Sequence, residues 1–196
     1  MNNVLPKKRS LDINTAILIE GCRQNDVLCQ QQLYKFCYPD MIKVCYRYAN
    51  DMDGAGMIFN DAMLKVFKGI NNYNDKGKLL GWIKTIVINC CIDFCKKKTI
   101  FNRSVDITEE DEIIIFPDVF DRLSGKDVQQ LISQLPAATA VVFNMYLYEG
   151  FTHRQIGEQL GISDGTSKWH VSEAKRILKQ KLEKISETEI KANAAG

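Results

Sequence analysis

The sequence predicts an all-α chain: two small helical domains joined by an acidic linker, the second built on a helix-turn-helix. Three observations predict it. Apolar residues recur three and four apart in almost every segment, which is the period of a helix face. The stretch from Phe151 to Leu178 holds a turn glycine, an apolar plug and a cap at set offsets. Charge is laid out in blocks: residues 76–103 carry +6, residues 104–127 carry −6 and residues 152–184 carry +3, within a net charge of +2. Two basic blocks around an acidic one suggest two nucleic-acid contacts and a connector.

Residues 1–10 are loose, with Pro6 and the run Lys7-Lys8-Arg9. Ser10 or Asp12 can cap a helix to about Cys22. Asp26 can cap the next helix, where Leu28, Gln32, Leu33 and Phe36 recur at helical spacing. Pro39 is expected to break it, with Met41, Val44, Cys45 and Tyr48 continuing the pattern to about Asn50. Asp51-Met52-Asp53-Gly54 reads as a turn with a cap, followed by a helix to about Lys68 with Ile58, Ala62 and Val66 on one face. Asn71 to Gly77 is a loop. A nearly apolar helix then runs from Lys78 to about Thr99, as expected of a bundle core. Its few polar residues align: Trp82, Asn89 and Lys96 are seven apart, and Asp93 is four beyond Asn89. Asp93 is expected to fix Asn89 or Lys97. The run Lys96-Lys97-Lys98 suits the negative end of that helix.

The first domain is therefore placed at 10–99 and the linker at 100–124. The linker is acidic, with one apolar patch from Ile113 to Pro117. The second domain spans 125–185. Leu131, Ile132 and Leu135 lead to Pro136, which can start a helix holding Val141, Val142, Met145 and Tyr146. Glu149-Gly150 ends it. The tail, 186–196, is polar and expected to be disordered.

In the helix-turn-helix, the first helix runs from Thr152 to Leu160, with Ile156 and Leu160 on one face. Gly161 stops it, because glycine reaches positive φ without steric cost. Ile162 plugs the turn. Ser163 caps the second helix, and Asp164 favours its positive end. Gly157, four before Gly161, lets the two helices approach closely. A plain helical hairpin does not need all of these at once; a helix-turn-helix that enters the DNA major groove does.

Composition excludes other classes. Hydrophobic content of 45% and charged content of 26% are ordinary for a globular chain of 196 residues. No apolar run reaches the length of a membrane span, and the first twelve residues, MNNVLPKKRSLD, lack a secretory signal, so a cytoplasmic protein without membrane insertion is expected. The seven cysteines form no C-x-x-C and lie far from His153 and His170, so reduced, buried thiols are expected and neither metal nor cofactor is. No glycine-rich phosphate loop, metal quartet or nucleophile motif points to an enzyme.

Two separated stretches resemble one family. Leu135-Pro136, Tyr148-Glu149-Gly150-Phe151-Thr152, Gln155-Ile156-Gly157, Leu160-Gly161-Ile162-Ser163 and Gly165-Thr166-Ser167-Lys168 form one set. Asp61-Ala62-Met63-Leu64-Lys65-Val66-Phe67 and Trp82-Ile83, Ile86, Asn89 and Asp93 form the other. In order and spacing they resemble bacterial sigma factors of the extracytoplasmic-function group, over roughly 25–98 and 125–182. Where that family usually has an acidic pair before its Leu-Val-Gln-Glu, this chain has Gly56-Met57. Where the family usually has arginine in the recognition helix, it has Glu173.

The resemblance implies a promoter-melting domain and a −35-reading domain that ride on core RNA polymerase. At the −35 element it implies contacts from Ser163, Thr166, Lys168, Trp169, His170, Ser172, Glu173, Lys175 and Arg176. Lys168, Lys175 and Arg176 would hold phosphates, as would the backbone N–H groups of 163–166. Trp169 either reads DNA or packs on its own domain. Glu173 repels phosphate but can accept from a cytosine amino group. At the −10 element the implied residues are Tyr73, Trp82 and Asn89 for an unpaired base, with Lys84, Lys96, Lys97 and Lys98 on the backbone. The clamp of the largest polymerase subunit would meet Phe59, Asn60, Asp61, Met63, Leu64 and Phe67, although one helix cannot expose every apolar face. The acidic linker either threads polymerase channels or is a solvated tether. An anti-sigma protein, often membrane-bound in that family, is a further expected partner. Two alternatives remain open: a conventional DNA-binding regulator that acts without polymerase, and a helical adaptor that has lost DNA binding.

Overall fold

Period and caps together set the first bundle. The computed structural model describes residues 15–74, 78–98 and 125–194, with backbone alone for residues 126 and 185–194. Helix α1 (Thr15–Arg23) buries Leu18, Ile19 and Cys22. Asp26 caps α2 (Val27–Ala49), its carboxylate accepting from the Leu28 and Cys29 N–H groups. Leu33, Cys37, Met41, Val44, Cys45 and Tyr48 all face inward from α2.

The expected break at Pro39 does not occur; α2 runs through it. Proline removes one N–H bond and crowds the preceding turn, a cost of about 3 kcal/mol. The apolar stripe keeps its register on both sides of Pro39, and burying it outweighs that local cost. Asn50, at φ 63°, closes α2, and Asp51 caps α3 (Met52–Gly69) through the Gly54 N–H. A 3₁₀ turn, Ile70–Asn72, leads towards α4 (Leu79–Lys98). Helices α2, α3 and α4 pack against one another, and α1 lies on α2.

The second body comprises α5 (Gly125–Ser133), α6 (Ala137–Leu147), α7 (His153–Leu160) and α8 (Asp164–Ala194). Pro136 stands at the N-cap of α6, where its missing N–H costs nothing. Helix α6 is buried from Thr139 to Met145 and packs on α8 and α7. Helix α8 continues to Ala194, past Ser186, where an irregular tail was expected. The run from Thr166 to Ala195 contains neither glycine nor proline to stop it. Ser10, Asp12, the Asp75–Gly77 loop, Thr99, the acidic linker and its 113–117 patch lie outside the described residues.

All seven cysteines are free, and all but the half-buried Cys29 are buried. Burial pushes the Cys22 and Cys95 thiols up to about 11 and Cys37 to about 12. They stay protonated at neutral pH and pack as small hydrophobes. No helix among the described residues is long and apolar enough to cross a membrane.

Candidate nucleic-acid interface

The turn of the helix-turn-helix is built by short-range chemistry. Thr152 and Gln155 form a reciprocal capping box at the start of α7. Gly161, at φ 72°, takes the left-handed conformation that ends it, and the Gly161 and Ile162 N–H groups both donate to the Gly157 carbonyl at 2.8 and 3.2 Å. Ile162 is buried in the turn. Ser163 Oγ accepts from the Thr166 N–H at 2.9 Å and opens α8.

Helix α8 sorts its residues by phase. Ser167, His170, Val171, Ala174, Leu178 and Leu182 are buried or nearly so. Lys168, Trp169 and Arg176 face out, with Ser172, Glu173 and Lys175 half exposed. Thr166 and His170, expected at the DNA, are instead interior. Thr166 has no exposed surface, and its hydroxyl pairs with Ser163 at 2.8 Å. His170 Nδ1 pairs with the Thr139 hydroxyl of α6 at 3.0 Å. Polar side chains face inward here because each finds a polar partner on a neighbouring turn or helix. Ser163 is a cap rather than a free hydroxyl, and the Thr166 N–H expected to hold phosphate is already bonded. Trp169 is 36% exposed and stands edge-on to the His170 ring, so it both packs and presents a face. Arg176 is locked onto Glu173 by two bonds of 2.7 Å, which holds the Glu173 carboxyl below its usual range.

Burial pulls the His170 imidazole below its ordinary value of 6.5. The folded form therefore binds fewer protons than the unfolded chain, and its stability falls as pH drops below that value. The helix-turn-helix should melt at a lower temperature at pH 5.5 than at pH 7. A His170→Gln variant should show a flatter dependence in the same scanning calorimetry. Equal slopes for both would remove His170 as the cause.

A second face forms where the 3₁₀ turn meets α4. The Arg23 guanidinium donates to the Tyr73 carbonyl at 2.8 Å and fixes that loop to α1. Tyr73 is buried with its ring 4.9 Å from that of Trp82, and its hydroxyl has no partner among the described residues. Beside them opens a cavity of about 350 Å³ lined by Asn72, Tyr73, Asn74, Lys78, Gly81, Trp82 and Thr85. Asn89 is exposed one heptad further along α4, about 10 Å from Trp82 along the axis, and does not line the cavity. Lys96, Lys97 and Lys98 are exposed at the helix end, with the Lys98 ammonium 4.3 Å over the Phe94 ring. Lys84 is half-buried, its ammonium 2.9 Å from Glu149. Asp93 pairs with Lys65 of α3 at 3.4 Å, not with Asn89 or Lys97.

Between α3 and α4 lies a groove of about 490 Å³, lined by Met57, Asp61, Leu64, Lys65, Lys68, Lys97 and Lys98 among others. Of the residues expected to meet polymerase, Asp61 and Leu64 line it. Asn60 is exposed and accepts from the Tyr34 hydroxyl at 2.8 Å. Phe59 and Met63 are fully buried; Phe59 packs edge-on to Tyr34 and Tyr38. Phe67 is half-buried against the core. Phe59 and Met63 are therefore core: four apart, they widen the inner face of Ala55, Ile58, Ala62 and Val66. Met57, 64% exposed, belongs to the outer row with Asp61 and Leu64. Its spacing of four from Asp61 and seven from Leu64 was the available signal.

Comparison with known proteins adds to this geometry. Residues 33–100 match the family model for sigma-70 region 2, and residues 125–178 match that for sigma-70 region 4. The chain is 23% identical over 150 residues to the ECF RNA polymerase sigma factor SigE of Mycolicibacterium smegmatis, a match covering 74% of this chain and 58% of that protein. It is also 23% identical over 158 residues to the ECF RNA polymerase sigma factor SigW of Bacillus subtilis, covering 74% of this chain and 84% of that one.

Proposed function

The chain belongs to the sigma-70 family, in its extracytoplasmic-function group, and we propose that it is an alternative sigma factor. It joins core RNA polymerase, docks the outer face of α8 on the −35 element and captures an unpaired −10 base beside Trp82. The observation that carries this reading is the cavity at Tyr73 and Trp82, on the same chain as a helix-turn-helix. Its volume suits one base, its walls supply a stacking face and amide groups, and it lies on the helix that ends in three exposed lysines. A regulator that only reads duplex has no use for such a cavity.

Sigma factors bind core polymerase and promoter DNA and carry no catalytic centre of their own. On this chain the α3–α4 groove, with Met57, Asp61 and Leu64 on its wall, is the surface proposed for the polymerase clamp. The cytoplasm is the compartment where polymerase would be met, and an anti-sigma protein is the proposed restraint. The test is direct: purified chain, bacterial core polymerase and a promoter library, read as initiated transcripts. Promoter-specific transcripts absent with core polymerase alone support the proposal. DNA binding that takes no account of polymerase supports the conventional regulator instead.

The ion pair on α8 makes a signed prediction. Lys168→Ala should flatten the slope of log affinity against log salt by about 0.9, the value of one phosphate contact. Arg176→Ala should change it less, because Glu173 already holds the guanidinium. Glu173→Ala should free Arg176, steepen the slope by a similar amount and tighten binding. A lost base preference with an unchanged slope would instead assign Glu173 to a base edge.

A further inference from the structure

Glu149, between α6 and α7, has a fully buried side chain although it bears a charge. Both of its partners belong to the other domain. Its Oε1 accepts from Arg47 Nη2 of α2 at 2.8 Å, and Lys84 Nζ of α4 lies 2.9 Å from Oε2. Two more contacts at this boundary involve Arg47, beside apolar packing that runs from one domain into the other. Asn144 Nδ2 of α6 donates to the Arg47 carbonyl at 2.9 Å, and the Arg47 guanidinium lies 4.7 Å over the Tyr148 ring.

A carboxylate inside protein is tolerated only when paired, so this contact depends on both cations. Ion pairs between domains are weakened by salt and lost when one partner is neutralised, and relative motion of two domains is the ordinary expectation. Lys84 also sits on the face expected to hold −10 phosphates, and here Glu149 occupies it. By their names the −10 and −35 elements are about 25 base pairs apart, about 85 Å along B-form DNA. Helices α4 and α7 touch in this structure. A chain with this contact intact cannot occupy both elements. The 26 residues between Lys98 and Gly125 could span at most about 90 Å, so separation is covalently possible.

We propose that Glu149 is a latch: it holds the −35 domain against the −10 helix in the free chain, and promoter phosphate competes with it for Lys84 when the domains part. This rests on the assignment of the two DNA faces above. The latch explains why a free chain would search DNA poorly, since only the fraction with open domains can bind both elements.

The test compares small-angle scattering of the full chain with that of Glu149→Gln and of Arg47→Gln, over a range of salt. The wild type should have a radius of gyration near the roughly 16 Å of a compact chain of this length at low salt, and should expand as salt screens the pair. Glu149→Gln should be expanded by several ångströms at every salt and bind promoter DNA more tightly without polymerase. Arg47→Gln should follow it. If both variants keep wild-type helicity and scatter like the wild type throughout, the latch is refuted. Transcription with core polymerase separates the two claims. Promoter-specific transcripts alongside unchanged scattering would overturn the latch and keep the sigma reading. Expanded variants with no transcripts from any chain would do the reverse.

Discussion

Gly157→Ala will destabilise the C-terminal domain by about 1–3 kcal/mol and abolish stable docking on −35 duplex, while Gly56→Ala will stabilise the chain by about 0.5–1 kcal/mol. The substitution is the same, and both glycines lie inside helices, so intrinsic propensity favours alanine at each. Surroundings decide the sign. A Cβ at Gly56 meets nothing within 4 Å, and its gain is the helix propensity itself. A Cβ at Gly157 would stand 2.8 Å from the Ile162 carbonyl oxygen and 3.3 Å from the Asp164 carboxylate. The first is backbone, held by the turn that Gly161 and Ile162 close onto the Gly157 carbonyl. Relief requires moving the start of α8, and with it Lys168 and Trp169. Thermal melting checks the stability, and a −35 duplex titration with holoenzyme checks the docking. A Gly157→Ala chain as stable as the wild type would mean that the turn yields at no cost.

The close approach at Gly157 was legible because glycine, plug and cap stand at fixed short offsets in one stretch. The same holds for the caps at Asp26, Asp51 and Ser163, where partners are two or three residues away, whereas Thr152, read as the first helical residue, is the cap of α7. What was illegible depended on contacts across long separations. Both flanks of the early part of α8 are polar, so its inner side is revealed only when Thr139, 31 residues earlier, meets His170. Phe59 and Met63 share a helix so rich in apolar residues that pattern alone could not divide core from groove. Pro39 reads as a stop until α3 and α4 cover the stripe of α2. Glu149 reads as a helix end; Arg47 lies 102 residues before it. Local chemistry writes caps and turns into the sequence, whereas the phase of a helix is chosen by what packs on it.

Trp82→Ala should separate opening from recognition. Helix α4 retains its buried row of Ile83, Val87, Cys91 and Cys95 without the indole, so the bundle should stay folded. Trp82 is half-buried, and the ring it loses is the wall of the cavity beside Tyr73. Stacking of one base on an aromatic ring is worth about 1–3 kcal/mol, so open-complex formation should fall roughly 5- to 150-fold. Duplex binding through α8 should be nearly unchanged, because no −35 contact is touched. A template with a pre-opened −10 bubble should recover part of the loss, since unpairing no longer has to be driven by base capture. Trp82→Tyr, which keeps an aromatic face, should lie between the two. The measurement is single-round transcription on duplex and bubble templates, with permanganate reactivity of unpaired thymines as a second readout. An equal loss on both templates would place Trp82 outside the opening step, and no loss on either would deny the cavity its base. The buried Tyr73 hydroxyl gives a further handle: Tyr73→Phe keeps the stack on Trp82 and removes one hydrogen-bonding group. That hydroxyl is closed off from the surface, so Tyr73→Phe should leave the preferred base unchanged and the opening rate within a few-fold; a changed base preference would mean that the loop opens to expose it.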